Sequence, residues 1–488
     1  MKHHFLCVSM LVSCVAISSN ENPLQETEGE FFTKYLQAKN VHFVDVSWSD
    51  AVGDLKSFTI PAHKMQGVID NKKSFDGSSI KGFTSITKSD LFLSVVTSTL
   101  SISPLKLDGF TSAHFFCNVV NGDESRYEND PRGILGEVVF EGAKMGYSFK
   151  CGAEIEFFLF REENGNLTFL DNNEYCNAET DLTIKAFKER LLYTLVHLNI
   201  EPEAFHHEVA PGQFEVVIGH TDALTLADRI QLTKHTITML AKEKGYVAVF
   251  MPKPVAAING SGMHIHISLQ KEGQNAFFDK NKENYLSDEA RSFITNILHR
   301  APEFSLLLNF DINSSKRLVP GYEAPIFLCC GAKNRSAAIR VPEASIKAIQ
   351  KTNGAPVRIE LRWPDASCNP YLALAAIFKA GLEGIKNESA PTPFINKNIY
   401  HMSYQERESL AIKTLPSSFE ESIDLFERST FTRDLVGKSL HNVLIDLKRD
   451  ELFSYNTLYN DPLRVTPWEI AHSTRLNVTS INHRQIAR

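Results

Sequence analysis

The fold turns on Glu154-Ile155-Glu156-Phe157-Phe158-Leu159-Phe160. Charged and apolar residues alternate and then give way to a solid apolar run, the pattern of a strand covered by its neighbours. Residues two apart in a strand face the same side, so Glu154 and Glu156 share one face. Two carboxylates so close repel each other unless a cation or an arginine neutralises them. A solvated strand edge would also tolerate them. Four large apolar residues follow at once, however, so burial is expected, and with it a countercharge.

From Cys151 onward such strands alternate with amphipathic helices, expected over 182–198, 224–244 and 371–386, the last opened by Pro370. After Pro393 the chain reads as mainly helical. Before Cys151, a helix over 30–38 carries Phe31, Phe32, Tyr35 and Leu36 on one side. Strands over 41–47 and 55–61 flank the loop Ser49-Asp50-Ala51-Val52-Gly53-Asp54. Tyr127-Glu128-Asn129-Asp130-Pro131 is the best boundary, a turn ahead of a helix over 133–145. The expected class is α+β: a small strand-rich N-terminal domain over 25–130, then a large domain over 131–488 whose antiparallel sheet, flanked by helices, carries the site.

Residues 1–24 form a separate segment. Lys2-His3-His4, an apolar run over 5–17 and Ser18-Ser19-Asn20-Glu21 outline a signal peptide, with Ala16 and Ser18 as a passable cleavage motif. A misassigned start, with Met10 initiating, would also account for it. The run is too short for a stable membrane span. Against export, the 8 cysteines show no paired spacing, and adjacent Cys329 and Cys330 are poorly placed for a disulfide, so reduced thiols and a cytoplasmic location are expected. A net charge of −7, with 51 Lys and Arg scattered among 58 Asp and Glu, argues against a nucleic-acid binder.

Further charged residues fall in the same strand-rich region. Glu208 and Glu215 flank Val209-Ala210-Pro211-Gly212-Gln213, where Pro-Gly marks a turn that folds the flanks together. His206 and His207 read as packing residues, or as residues supporting a ligand from behind, rather than as ligands themselves. Asn259-Gly260-Ser261-Gly262 precedes a strand that puts His264, His266 and Ser268 on one face beside a glycine loop. Arg358-Ile359-Glu360-Leu361-Arg362 sets Arg, Glu and Arg on one strand face, suited to anion binding beside a cation, or to a cross-strand salt-bridge row. Arg335 and Arg340 add cations at nearby loop positions, and Arg317 and Glu323 bracket an exposed loop. Glutamates with one histidine are hard ligands for Mg²⁺ or Mn²⁺. With the arginines opposite, they form the inventory of metal-assisted phosphoryl transfer. No Gly-x-x-x-x-Gly-Lys-Ser/Thr loop occurs, which argues against a P-loop fold.

In order along the chain, Phe75-Asp76-Gly77-Ser78-Ser79, the Glu154/Glu156 strand, His207–Gln213, Met251-Pro252-Lys253-Pro254, Asn259–His264, Lys316–Pro325, Asn334-Arg335-Ser336 and Arg358-Ile359-Glu360 resemble type I glutamine synthetase. The similarity covers roughly residues 30–470. The resemblance implies a β-grasp-like N-terminal domain, a glutamine synthetase catalytic domain, and ATP-dependent ligation of ammonia to the γ-carboxylate of glutamate. It implies two metal sites, Glu156, Glu208 and Glu215 on the substrate side and Glu154, His264 and Glu360 on the nucleotide side. It further implies that Gly260, Arg317 and Arg362 hold glutamate, and that Arg335, Arg340, Arg358, His266 and Ser268 lie towards the nucleotide. Asp50, delivered by a neighbouring subunit, would bind ammonium and take its proton, and Glu323 would close the site. A homododecamer is the implied assembly. Phe214, His220 and the 177–180 segment depart from the family pattern. The alternatives are a ligase for a larger amine such as a polyamine, and a non-catalytic member of the family.

Overall fold

The computed structural model describes residues 26–319, 322, 324–459, 464–474 and 480–481. The signal-like start, Glu323 and the end of the tail lie outside the described residues. The chain forms two compact units: one holding residues up to Trp48, Lys56–Ser79 and Thr84–Tyr127, the other Ser49–Leu55, Ile80–Phe83 and everything from Glu128.

The smaller unit is a mixed sheet with two helices. Its strands are β1 (Phe43–Ser49), β2 (Leu55–Pro61), β3 (Lys73–Asp76), β4 (Asp90–Val95), β5 (Ser101–Leu107) and β6 (Phe110–Val120). They run in the order β2-β1-β6-β4-β3, with β5 also on β6 and the β1–β6 pair parallel. Helix Glu28–Ala38 opens with Thr27 as its cap and buries Phe32 and Leu36, while Phe31 and Tyr35 of the same turns stay exposed.

The larger unit is built on an extended, mostly antiparallel sheet. Its central strand is β7 (Ser148–Glu163), with the quoted Glu154–Phe160 run at its middle. Next in the chain come β8 (Asn166–Phe169), β9 (Pro202–His207), β10 (Gln213–Thr221), β11 (Tyr246–Val249), β12 (Met263–Lys271) and β13 (Gln274–Asn275). The short strands β14 (Phe327–Leu328), β15 (Cys330–Ala332), β16 (Ile339–Val341) and β17 (Ile359–Leu361) follow. The main order is β15-β16-β17-β12-β7-β10-β9. Apart from the parallel pair β15–β16, every neighbour along this path is antiparallel. The expected α+β architecture is the one observed.

Helices Pro131–Lys144, Leu182–His197, Ala223–Glu243, Asp288–Leu308 and Pro370–Lys386 belong to the same unit. Phe149 of β7 stacks on Phe378 of the last helix, with ring centroids 3.9 Å apart. Asn369 caps that helix, accepting from the amides of Tyr371 and Leu372, and its Nδ2 donates to the Asp50 carbonyl at 3.1 Å. Helices Asp288–Leu308 and Pro370–Lys386 approach closely at Gly381, where an added Cβ would lie 2.1 Å from the Phe293 ring. Gly381→Ala therefore overpacks this contact, and we expect it to lower stability by about 1–3 kcal/mol. A denaturant midpoint equal to that of the parent would contradict this packing.

Candidate active site

The register of the large sheet gathers the carboxylates. Along β7, Glu154 pairs with His264 on β12, while Glu156 pairs with Glu215 on β10. One strand further, His266 on β12 and Arg340 on β16 both pair with Glu360 on β17. These residues lie across short strands that are far apart in the chain. They share one face because side chains alternate with a period of two. Phe158 and Phe160 continue that face into an apolar cluster with Val249, Met251, Val255 and Ile470, which closes one end. Phe157, on the reverse face, packs against Phe205, Phe214 and Phe250.

The result is a cavity of about 470 Å³. Glu154, Glu156, Glu208, Glu215, His264 and Glu360 line it, together with Gly260, Arg317, Arg335, Arg340 and Arg362. Of the residues singled out in the sequence, His266, Ser268, Arg358 and Asp50 are not among those lining it. His266 stands directly behind Glu154, its Nε2 2.8 Å from Oε1, while Arg358 Nε donates to His266 Nδ1 at 3.2 Å. That donation leaves Nε2 as the protonated nitrogen, so the ring donates to Glu154 and fixes its direction. Ser268 is buried further along β12, paired with Lys150. Asp50 is buried in its own loop, where Oδ1 accepts from the amides of Val52 and Asp54.

Among the described residues, three groups of side chains converge closely enough to share an ion, their ligand atoms within 4.8 Å of one another: Glu154, His264 and Glu360; Glu156, Glu215 and His264; and His206, Glu208 and Glu215. The first coincides with one of the sets carried over from the resemblance. In the other two, Glu156 and Glu208 fall into separate groups, and His206 enters. His206, read from the sequence as a packing or supporting residue rather than a ligand, sits opposite Glu215 in the β9–β10 hairpin, its Nε2 3.1 Å from Glu208 and 3.7 Å from Glu215. The signal for it was the tight Pro211-Gly212 turn, whose register sets His206 across from Glu215. Gln213 was also missed: its Nε2 donates to Glu156 Oε2 at 3.2 Å and to the Gly260 carbonyl at 3.0 Å. His207, by contrast, is turned away to Asp171, at 2.8 Å.

Two readings need correcting in detail. Arg340 is not a loop residue but part of β16, whereas Arg335 does lie in the turn before it. Only Ile359–Leu361 of the Arg358–Arg362 row is strand, and the flanking arginines turn to different partners, Arg358 to His266 and Arg362 to Glu360. Phe214, one of the departures from the family pattern, points into the core on the reverse face, not into the cavity. His220 is half-buried with its ring 6.0 Å from that of His266; burial, followed by the neighbouring His266 and Arg358, pushes its pKa down to about 4.

The electrostatics divide this face. Burial would raise Glu360, but Arg362 and the two histidines outweigh it and hold it at about 2, and both Arg340 and Arg362 hydrogen-bond its carboxylate. Glu154 is likewise held well below its usual range, since hydrogen bonds from His264 and His266 outweigh burial. For Glu215, His206 Nε2 stands 3.7 Å away, too far for a hydrogen bond. Burial, then repulsion from Glu154, Glu156, Glu208 and Glu360, pushes Glu215 up to about 10, and burial also raises Glu156. A pair of buried carboxyls that cannot both ionise unaided fits a divalent ion, and the all-oxygen-and-imidazole donor set fits Mg²⁺ or Mn²⁺.

Arginines line the same cavity. Arg317 is buried, its guanidinium held by the backbone carbonyls of Arg362, Trp363 and Pro364. Gly260 lies against it so tightly that a Cβ there would meet the Pro252 carbonyl at 2.2 Å and the Arg317 stem at 3.2 Å. Only glycine permits this approach.

A carboxyl raised on folding stabilises the folded chain through its bound proton, and that contribution is lost as pH rises from the unfolded value towards about 10. We therefore expect the melting temperature of chelator-treated protein to fall between about pH 6 and about pH 9, and Mn²⁺ to restore it. Calorimetric titration in buffers of different ionisation enthalpy should show proton release on Mn²⁺ binding near pH 7.5; no release would contradict a protonated Glu215.

The family described as glutamine synthetase, catalytic domain, matches residues 128–472, and that described as glutamine synthetase, beta-Grasp domain, matches residues 40–122. The chain is 38% identical to the glutamine synthetase of Methanosarcina mazei over 448 residues, covering 91% of this chain and 97% of that one. It is 37% identical to that of Halobacterium salinarum, covering 89% and 94%, and 38% identical to that of Staphylococcus aureus, covering 90% and 96%. Among solved structures, a GmaS–ADP complex superposes with a TM-score of 0.78 at 26% identity, covering 91% of this chain and 99% of that one. The cryo-electron microscopy structure of Plasmodium falciparum glutamine synthetase gives 0.77 at 26%, covering 89% and 97%. With both domains matched in order and the carboxylate cavity between the strands of the second, this chain belongs to the glutamine synthetase family, whose members are ATP-dependent ligases.

Proposed function

We propose that the chain ligates ammonia to the γ-carboxylate of L-glutamate at the expense of ATP, through γ-glutamyl phosphate. The observation that carries the reading is the single cavity that paired carboxyl groups line together with Arg317, Arg335, Arg340 and Arg362. Divalent ions bound by Glu154, His264 and Glu360, and by Glu156, Glu208 and Glu215 with His206 beside them, would neutralise the phosphates of ATP. Arg317, Arg362 and the Gly260 backbone bind the acid substrate and aim its γ-carboxylate at the γ-phosphorus. Arg335 and Arg340 take up the charge on the transferring phosphoryl group. His266 and Arg358, behind Glu154, hold that carboxylate towards the nucleotide side, with Ser268 further along the same strand.

Free ammonium is not a nucleophile, so a base must take its proton before it attacks the acyl phosphate. Asp50 is the group assigned to that step. It does not line the cavity of its own chain, so the role requires delivery by a neighbouring subunit, in keeping with a homo-oligomer such as a dodecamer. The acyl phosphate must also be kept from water, which gives Glu323 and its loop a lid function. The reading takes 25–130 as the β-grasp domain and 131–488 as the catalytic domain.

Purified protein given ATP, glutamate, Mg²⁺ and ammonium should release glutamine, ADP and phosphate in equal amounts. Product with a polyamine but not with ammonium or hydroxylamine would overturn the assignment of the amine, and no product with any amine would overturn the reading. Glu323→Ala should raise phosphate release relative to glutamine; an unchanged yield per ATP would remove the lid role.

A further inference from the structure

The acid-binding edge of the cavity rests on a buried charge cluster that none of the roles above uses. Glu469, on the C-terminal helix Pro467–Thr474, is fully buried. Its Oε2 accepts from Lys316 Nζ at 2.8 Å and from the Thr466 amide at 2.7 Å, and its Oε1 accepts from Asn313 Nδ2 at 2.8 Å. Lys316 also donates to the Tyr455 hydroxyl at 2.9 Å. Burying this pair is costly in itself, and its geometry is saturated with hydrogen bonds, which is how a buried pair acquires a single arrangement.

Both side chains that donate to Glu469, Lys316 and Asn313, lead to the cavity wall. Lys316 immediately precedes Arg317 in the short helix Ser314–Arg317, so fixing one sets the backbone of the other. Asn313 holds both polar groups of the Lys253 backbone: its Oδ1 accepts from the amide at 2.6 Å, and its Nδ2 donates to the carbonyl at 3.0 Å. The adjoining Pro252 carbonyl accepts from Ser261 N at 2.8 Å and is the atom against which Gly260 is packed. Ile470, next to Glu469, seats the same helix in the apolar cluster with Phe158, Met251 and Val255. None of Asn313, Lys316 and Glu469 lines the cavity.

We infer that Glu469 is a positioning residue: through Lys316 and Asn313, the C-terminal helix sets the separation of Arg317 from Gly260, and so the affinity for the acid substrate. The inference rests on the proposed role of those two residues in binding glutamate. It separates the acid edge, which depends on the C-terminal helix, from the metal-binding strands, which do not contact it through this cluster. Displacements of about 1 Å at such a support can cost up to about a hundredfold in rate.

The test is Glu469→Gln, which keeps shape and one acceptor but sets an amide against Lys316 Nζ and the Thr466 amide. We expect the KM for glutamate to rise about tenfold, with the KM for ATP and the Mn²⁺ affinity read by electron paramagnetic resonance within about twofold of the parent. Asn313→Ser leaves the Lys316–Glu469 pair intact and cuts the links from Asn313 to the Lys253 backbone and to Glu469 Oε1; it should show the same selective rise, and it decides the matter if Glu469→Gln does not fold. An unchanged KM for glutamate in a folded variant overturns the inference, as does an equal rise in both Michaelis constants, the mark of general loosening. Inactivity of the parent protein with glutamate would instead overturn the assigned reaction.

Discussion

Carboxylates crowded on one buried sheet face constrain everything around them. Isolated, such groups would repel one another and resist leaving water, so the structure must supply positive charge from every side. It does so unevenly. Arg340 and Arg362 close on Glu360, and His264 and His266 close on Glu154, but around Glu215 the surrounding charge is negative. The protein has compensated one half of the cluster with its own side chains and left the other half to an ion or a proton. That asymmetry separates a binding site from a structural salt-bridge network, and it explains why the site face tolerates so many acids.

The scaffold is arranged to keep these charges where they are. The reverse face of the sheet packs into aromatic clusters and helices, the site face ends in the cluster around Phe158, and Arg317 hangs on backbone carbonyls while Arg340 and Arg362 are tied to buried Glu360. Rigid support at the first contact and buried hydrogen bonds behind it are what a site needs if charge stabilisation, rather than covalent chemistry, does most of the catalysis.

Much of this was legible from residue order. Strand alternation put Glu154 with Glu156 and His264 with His266 on shared faces, because a period of two is a local property. The helix starts expected at 30, 133, 182 and 371 lie within a few residues of those observed, where Thr27, Asp130, Asp181 and Asn369 act as caps. Which strand lies beside which is not local. His206 was passed over because its neighbour Glu215 is set by hairpin register, and Gln213 because its two partners come from β7 and the glycine loop. Arg340 was misread as a loop cation because β15, β16 and β17 are too short to leave a periodic signature. The Glu469 cluster had no periodic pattern: Asn313 and Lys316 on one side and Glu469 on the other lie more than a hundred positions apart and are joined only by packing.

Antiparallel pairing also turns the cavity into a check on the chain's own assembly. A strand displaced by one residue keeps its hydrogen bonds and much of its compactness but sends every side chain to the opposite face. For β10 that would put Glu215 among the phenylalanines of the core and Phe214 among the carboxylates. Alternation between an aromatic and an acidic residue makes that error expensive, since it would bury a charge in hydrocarbon and expose a ring to a field of anions. The residues assigned to chemistry thus also help select the pairing that brings them together, and a mispaired molecule would be both destabilised and blind to divalent ions.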